Sequence, residues 1–264
     1  MAGPIHFPND TSFIGDLILQ RTTPFIRLGG GQALTQWFAT GDKSQLFEFL
    51  RRHGLIDAYL NETLDEVSND VNALIQFLPG QSYKRIVSIG PGNGLVELLL
   101  YRRIPFSSLL LIDIESSDVH KHGFAQHGSG YASLEGTRQF LIDNGVPAEV
   151  IQTCNPKQQA LPAFEFDLLL SLLSMGFHYP CDDYATFIRR YIAPRGKVVL
   201  DKRKGTIDAG YEILMRGMSV EQRVDAPRVE RLLLSAPPVD ALTQNSPAQS
   251  IADGQYSGGD EAVA

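Results

Sequence analysis

From residue 85 to residue 202 the chain alternates short, almost wholly apolar runs with stretches whose apolar residues recur every three or four positions. "RIVSIG" (85–90), "SLLLIDI" (108–114), "AEVIQT" (148–153), "FDLLLSLLS" (166–174) and "GKVVLDK" (196–202) read as strands. The nearly continuous apolar ones are what a sheet covered on both faces requires. Between them, "LVELLLYRR" (95–103), "SLEGTRQFLIDNG" (133–145) and "DDYATFIRRYI" (182–192) read as helices. The second of these has Ser133 as its N-cap and Asn144-Gly145 as its stop. Strands and helices taken in turn, with buried strands, predict an α/β fold with a doubly wound parallel sheet.

The flanks read differently. Residues 1 to about 40 are interrupted by Gly, Pro and Thr, including "LGGGQ" (28–32), and give weak signals. From Ser44 the pattern turns helical through "QLFEFLRRHGLIDAYL", with Gly54 ending or breaking it. Leu64, Val67, Val71, Leu74 and Leu78 then form one helical face, closed by Pro79-Gly80. Residues 1–80 are therefore expected to form a helical layer in front of the main domain, residues 81–235. Within that domain "AGYEILMRGM" reads as a helix and "VERLLLS" (229–235) as a last strand. Residues 236–264 are rich in Pro, Ser, Gly and acid, contain no Lys or Arg, and predict a disordered acidic tail.

Composition removes several classes of function. The chain of 264 residues carries a formal charge of −7, against the basic face of a general nucleic-acid binder. Its two cysteines, Cys154 and Cys181, have no CxxC partner, which favours a reducing compartment. "MAGPIHFPND" lacks the charged start and long apolar stretch of a secretory signal, and no apolar run approaches the roughly 20 residues that span a bilayer. A soluble, cytoplasmic protein with no membrane or nucleic-acid partner is expected.

"VSIGPGNGLVE" (87–97) sets Gly90, Gly92 and Gly94 directly after the first strand. Such a turn is either a tight connection or a place where backbone approaches a phosphate, a nicotinamide dinucleotide or an adenosyl group. The dinucleotide fingerprint would need a third glycine at 95, which is Leu95, and no Lys-Ser or Lys-Thr follows Gly94 as in a phosphate loop. About 20 residues on, the next strand ends in Asp113, whose carboxylate can accept two ribose hydroxyls.

An acidic ribose clamp with GxGxG and no third dinucleotide glycine resembles the class I S-adenosylmethionine-dependent methyltransferases. The resemblance covers residues 84–235: "SIGPGNG" is similar to the first motif and "LIDIE" to the second. "CNPKQQALPAFEFDLLLSLLS" resembles the run through the third and fourth strands, and "YIAPRGKVVLDKRKG" the approach to the fifth. "YEILMRGMSV…RVERLLLS" is similar to the antiparallel sixth and seventh strands of that family. The resemblance implies a seven-stranded, mostly parallel, Rossmann-like sheet, often preceded by a helical layer, and S-adenosylmethionine as cofactor. It further implies cofactor contacts from Gly90, Pro91, Gly92, Asn93 and Gly94, from Asp113 and Ile114 at the ribose, and from Ser171 under the methionine part. The family's adenine-binding acid after the third strand is absent, with Asn155 or Gln158 able to substitute. Its Asp/Asn-Pro-Pro-aromatic motif is replaced by "SLLSMGF", and the carboxylate set of metal-dependent catechol-type enzymes is missing, since the fourth strand ends in Ser171.

Methyl transfer from a sulfonium asks the protein for alignment, dryness and at most one base. His178 in "SMGFHYP" is a candidate base or a packing histidine. His127, with His120 and His122 in "DVHKHGFAQHGSGY" (118–131), offers a second base, a substrate lid, a metal site without recognisable zinc spacing, or a plain polar loop. No metal is expected. Lys202, Arg203 and Lys204 either attract an acidic group on the acceptor or are solvated. Trp37, Phe38, Phe47 and Phe49 either cap an acceptor or belong to the core. The expected function is methyl transfer to a small-molecule acceptor, O-methylation of a sugar or other polar metabolite; a homodimer is left open. A nicotinamide-dependent oxidoreductase and a non-catalytic binding module on the same fold are the alternatives.

Overall fold

A computed structural model describes residues 3–78, 82–115, 132–206 and 208–238 of the chain. Five helices come first: α1 (Thr11–Gln20), α2 (Thr22–Arg27), α3 (Gly31–Thr40), α4 (Ser44–Arg52) and α5 (Ile56–Phe77). Residues 1–40, weak in the sequence, thus supply three of them. The reason lies in α1, whose residues Phe13 through Leu19 are all buried, so no polar face marks its period. Its start is nonetheless conventional: the Asp10 carboxylate accepts the Phe13 amide at 2.8 Å. Asp16 is buried within it and is reached by Lys43 Nζ at 2.6 Å, which ties α1 to the start of α4. Helix α5 buries Tyr59, Val67, Val71, Leu74 and Phe77 along one face, as the spacing of its apolar residues predicts.

The remainder alternates as expected. Strand β1 (Arg85–Ile89), helix α6 (Leu95–Arg103), β2 (Ser108–Ile112), helix α7 (Leu134–Asp143), β3 (Ile151–Cys154) and β4 (Phe166–Ser171) follow in order. Then come β5 (Ser174–Tyr179), α8 (Asp182–Tyr191), β6 (Ile192–Arg203), α9 (Ala209–Met215), β7 (Ser219–Asp225) and β8 (Val229–Ser235). Seven strands make one sheet in the order β3-β2-β1-β4-β6-β8-β7. The first five are mutually parallel, while β8 runs antiparallel to both β6 and β7. This is a doubly wound, mostly parallel, Rossmann-like sheet. The strand order reverses between β1 and β4, the point at which open α/β sheets bind their ligands.

Strand alternation feeds two cores. Ile86, Leu109, Leu111, Leu168 and Leu170 pack on the side that carries α1–α7, in one continuous cluster with the N-terminal helices. Val87, Ile89, Leu110, Ile112 and Leu169 face α8 and its neighbours. Each fully buried Leu or Ile contributes about 1.5–3 kcal/mol. The N-terminal layer therefore shares its core with the sheet. No helix of the described residues is long and apolar enough to cross a membrane.

Three boundaries differ from the expectation. Residues 148–150 form a 3₁₀ turn ahead of β3. The predicted strand 166–174 stops at Ser171 and reverses at Leu173, whose φ is +51° and whose amide donates to Asp201 Oδ2 at 3.2 Å. That carboxylate, not the apolar run, decides where the strand ends, and β5 then packs beside β6. Ala236 is buried, and its amide donates to the Gly196 carbonyl at 2.9 Å.

Candidate active site

At the carboxyl ends of β1, β2 and β4 the N-terminal helices roof a cavity of about 540 Å³. Part of its wall is the turn after β1. Gly90, Gly92 and Gly94 all have positive φ (+70°, +58° and +77°), which side chains with a Cβ rarely adopt. Gly90, Pro91 and Gly92 line the cavity, together with Asp113 and Ile114 from the tip of β2. The glycines do more than approach a ligand. A Cβ at Gly92 would fall 2.3 Å from Gln20 Oε1, so its missing side chain is where α1 is seated. Gln20 and Asn93 bond reciprocally: Gln20 Nε2 donates to Asn93 Oδ1 at 2.6 Å, and the Asn93 amide donates to Gln20 Oε1 at 3.0 Å.

Two carboxyl groups face this end. Asp113 is half-buried; desolvation pushes its carboxyl up to about 6, opposed by the amides of Glu115, Ile114 and Gly92. Glu97, in the first turn of α6, is 3% exposed. Its Oε1 accepts from Ser88 Oγ at 2.6 Å, while Oε2 is buried with no hydrogen-bond partner. Desolvation pushes this carboxyl up to about 7. A buried orphan oxygen costs free energy unless something donates to it, and this one lies in a cavity wall.

The lining also draws on α2, α3, the β4–β5 turn, β5 and β8: Ile26, Leu34, Phe38, Leu173, His178 and Arg231. Two guanidinium groups reach it, and both are engaged. Arg21 Nη1 lies 2.7 Å from Asp70 and 3.3 Å from Glu66. Arg231 grips the buried Asp201 through two contacts, at 2.6 and 2.8 Å.

The sequence-predicted residues divide accordingly. Gly90, Pro91, Gly92, Asp113, Ile114 and His178 share the cavity wall. Asn93 does not: its side chain turns inward, where Nδ2 donates to the Phe13 carbonyl. Gly94 caps α6 against Thr137. Asn155 Nδ2 donates to Glu115 Oε2 at 2.8 Å, tying the β2 and β3 tips together without lining the cavity. Ser171 is fully buried, its hydroxyl donating to the Met175 carbonyl. Of the basic trio none lines the cavity, since each has another partner: Lys202 lies over the Tyr211 ring, Arg203 over Phe177, and Lys204 pairs with Asp225. Trp37 and Phe47 are core, Phe49 packs edge-on against Phe25, and Phe38 alone of that quartet reaches the cavity. His120, His122 and His127 lie outside the described residues. Among the described residues no three His, Cys, Asp or Glu side chains converge as a metal site would need.

The sequence reading passed over Arg21, Asp70, Glu97 and Arg231. Only Glu97 carried a local signal: an acid set among Leu95, Val96, Leu98 and Leu99, where any inward orientation buries it.

No family model and no curated protein matches the chain. Solved structures do. A ribosomal protein L11 methylase from Lactobacillus delbrueckii subsp. bulgaricus is 14% identical over 68% of this chain and 79% of its own, with a TM-score of 0.45. An N,N-8-amino-8-demethyl-D-riboflavin dimethyltransferase from Streptomyces davawensis is 16% identical over 87% of this chain and 70% of its own, with a TM-score of 0.46. At such values the likeness adds nothing to the site, which stands on strand order and residues.

Proposed function

We propose that this chain, which has the seven-stranded Rossmann-like fold of the class I methyltransferases, transfers a methyl group from S-adenosylmethionine to a hydroxyl of a small-molecule acceptor. The observation that supports this most is the Asp113 carboxylate beside the Gly90–Gly92 turn, both in the wall of one cavity at the sheet's switch point. Ionised, that carboxylate accepts two ribose hydroxyls. The residues fit such a donor in a second respect: the orphan Oε2 of Glu97 offers an acceptor to a cationic amine in the same wall. The antiparallel β8–β7 edge departs from the two like βαβαβ halves of the ordinary dinucleotide fold and so favours this reading over a nicotinamide enzyme.

When bound, S-adenosylmethionine supplies an electrophilic methyl group on a sulfonium whose departure leaves a neutral thioether. The chain's own residues then have three tasks. Gly90–Gly92 and Asp113 hold the nucleoside; α1–α3 exclude water from the cavity. His178, half-buried in the wall of the same cavity, takes the proton of the acceptor hydroxyl.

Calorimetry with S-adenosylmethionine and S-adenosylhomocysteine tests the reading. Saturable binding of both, weakened in Asp113→Ala, is expected; binding of neither, or tighter binding of reduced nicotinamide cofactor, overturns it.

A further inference from the structure

We infer that the acceptor end of the cavity takes a neutral, largely apolar small molecule of one or two rings, held by Ile26, Phe38 and Leu173, rather than a sugar or an anionic metabolite. This rests on the methyl-transfer reading for the acceptor's role, but its observations are independent of it. Ile26, Phe38 and Leu173 are 54%, 51% and 45% exposed. They come from three separate elements, yet line one cavity. Scattered exposed apolar residues need no explanation; a converging set beside a cavity marks a binding surface.

Leu173 strengthens the case. Its φ of +51° is strained for a residue with a branched side chain, and Asp201 holds it there by accepting its amide. The structure thus spends backbone strain on presenting an apolar group to the cavity. Charge points the same way. Arg21 is faced by Asp70 and Glu66 and Arg231 by Asp201, so the carboxylates offset both cations and leave no net positive charge to draw an anionic acceptor. Of the other polar side chains in the lining, Gln20 is engaged by Asn93 and Asp70 by Arg21, which leaves the converging apolar trio as the dominant surface there. The cavity volume is that of a small-molecule site.

The test is fluorescence titration of the full chain with 7-hydroxycoumarin, a neutral fused-ring phenol, alongside methyl glucoside and glucose 6-phosphate as competitors. The coumarin is expected to bind, to weaken about tenfold in Phe38→Ser and in Ile26→Ser, and not to be displaced by either sugar. Both variants change side chains more than half exposed, so folding is retained, as circular dichroism would verify. No coumarin binding, binding indifferent to both substitutions, or displacement by a sugar overturns the inference. Calorimetry with S-adenosylhomocysteine on the same samples separates the two readings. If it binds while the coumarin result fails, only the acceptor class falls; if it fails while coumarin binding depends on Phe38 and Ile26, the apolar site stands and methyl transfer falls.

Discussion

The two ends of the cavity are made in different ways. The end proposed for the donor comes from two strand tips: Gly90–Gly92 after β1 and Asp113–Ile114 after β2, adjacent parallel strands whose register sets Ile89 beside Ile112. The acceptor end draws on residues as far apart as Arg21, Ile26 and Phe38 in the roof, Leu173 and His178 after β4, and Arg231 on β8. The first is dictated by local backbone geometry and neighbouring strands. The second exists only where helices packed on the sheet meet a strained turn. A site assembled from distant segments can vary its specificity without disturbing the donor end, which explains how one fold serves many acceptors.

The sharpest break of this contrast is at Gly92. Gly92→Val would add a branched side chain at φ +58° and drive it into Gln20. We expect a loss of about 2–4 kcal/mol in chemical denaturation, with loss of S-adenosylhomocysteine binding. A binding-competent variant would show that the turn is not part of the donor end.

Glu97 comes next. Its carboxyl titrates at about 7 in the folded protein, above its ordinary value of 4.5, so the folded state holds the extra proton between those limits. Stability is therefore expected to fall as pH rises from about 4.5 to 7, by an amount on the order of 2–3 kcal/mol, and to level off above. Glu97→Gln keeps the Ser88 contact, removes the part of that slope between about pH 6 and 7, above the range in which Asp16 and Asp113 titrate, and should be the more stable protein at pH 8; identical pH profiles for both would contradict an uncompensated buried carboxyl.

At Asp113 the expected effect on binding comes with a stability loss, because the Glu115, Ile114 and Gly92 amides lose their acceptor. Asp113→Ala should weaken S-adenosylhomocysteine by about 1.5–3 kcal/mol. In the unsubstituted protein affinity should decline as pH falls through about 6, where the carboxyl takes its proton, while Asp113→Asn should show no such decline. The smallest effect belongs to Gln20→Ala, which severs the roof from the glycine turn. A stability loss of about 1 kcal/mol, and weaker coumarin binding with little change for the nucleoside, would show that Gln20 couples the two ends.

Legibility followed the same division. The strands β1, β2, β4 and β6, helices α6 and α7 and the Ser133 cap could be read because apolar runs, periodicity and capping are local. Gly90, Gly92 and Asp113 could be read because a strand tip needs only its own neighbours. Helix α1 escaped because complete burial erases amphipathic period. Ser171 and Asn155 escaped because their partners, Met175 and Glu115, are set by loops whose course no pattern announces.

What the amino-acid sequence determined alone was the alternation that forces a two-faced sheet, and a glycine turn beside an acidic strand tip. Both follow from local rules: burial on both faces of a strand and the conformational freedom of glycine. Which carboxyl lost its hydrogen-bond partner, which arginines were already neutralised and which apolar side chains gathered at the mouth were decided only by tertiary structure. Those properties belong to residues as much as 147 positions apart, as Ile26 and Leu173 are, and no single stretch of chain contains both members.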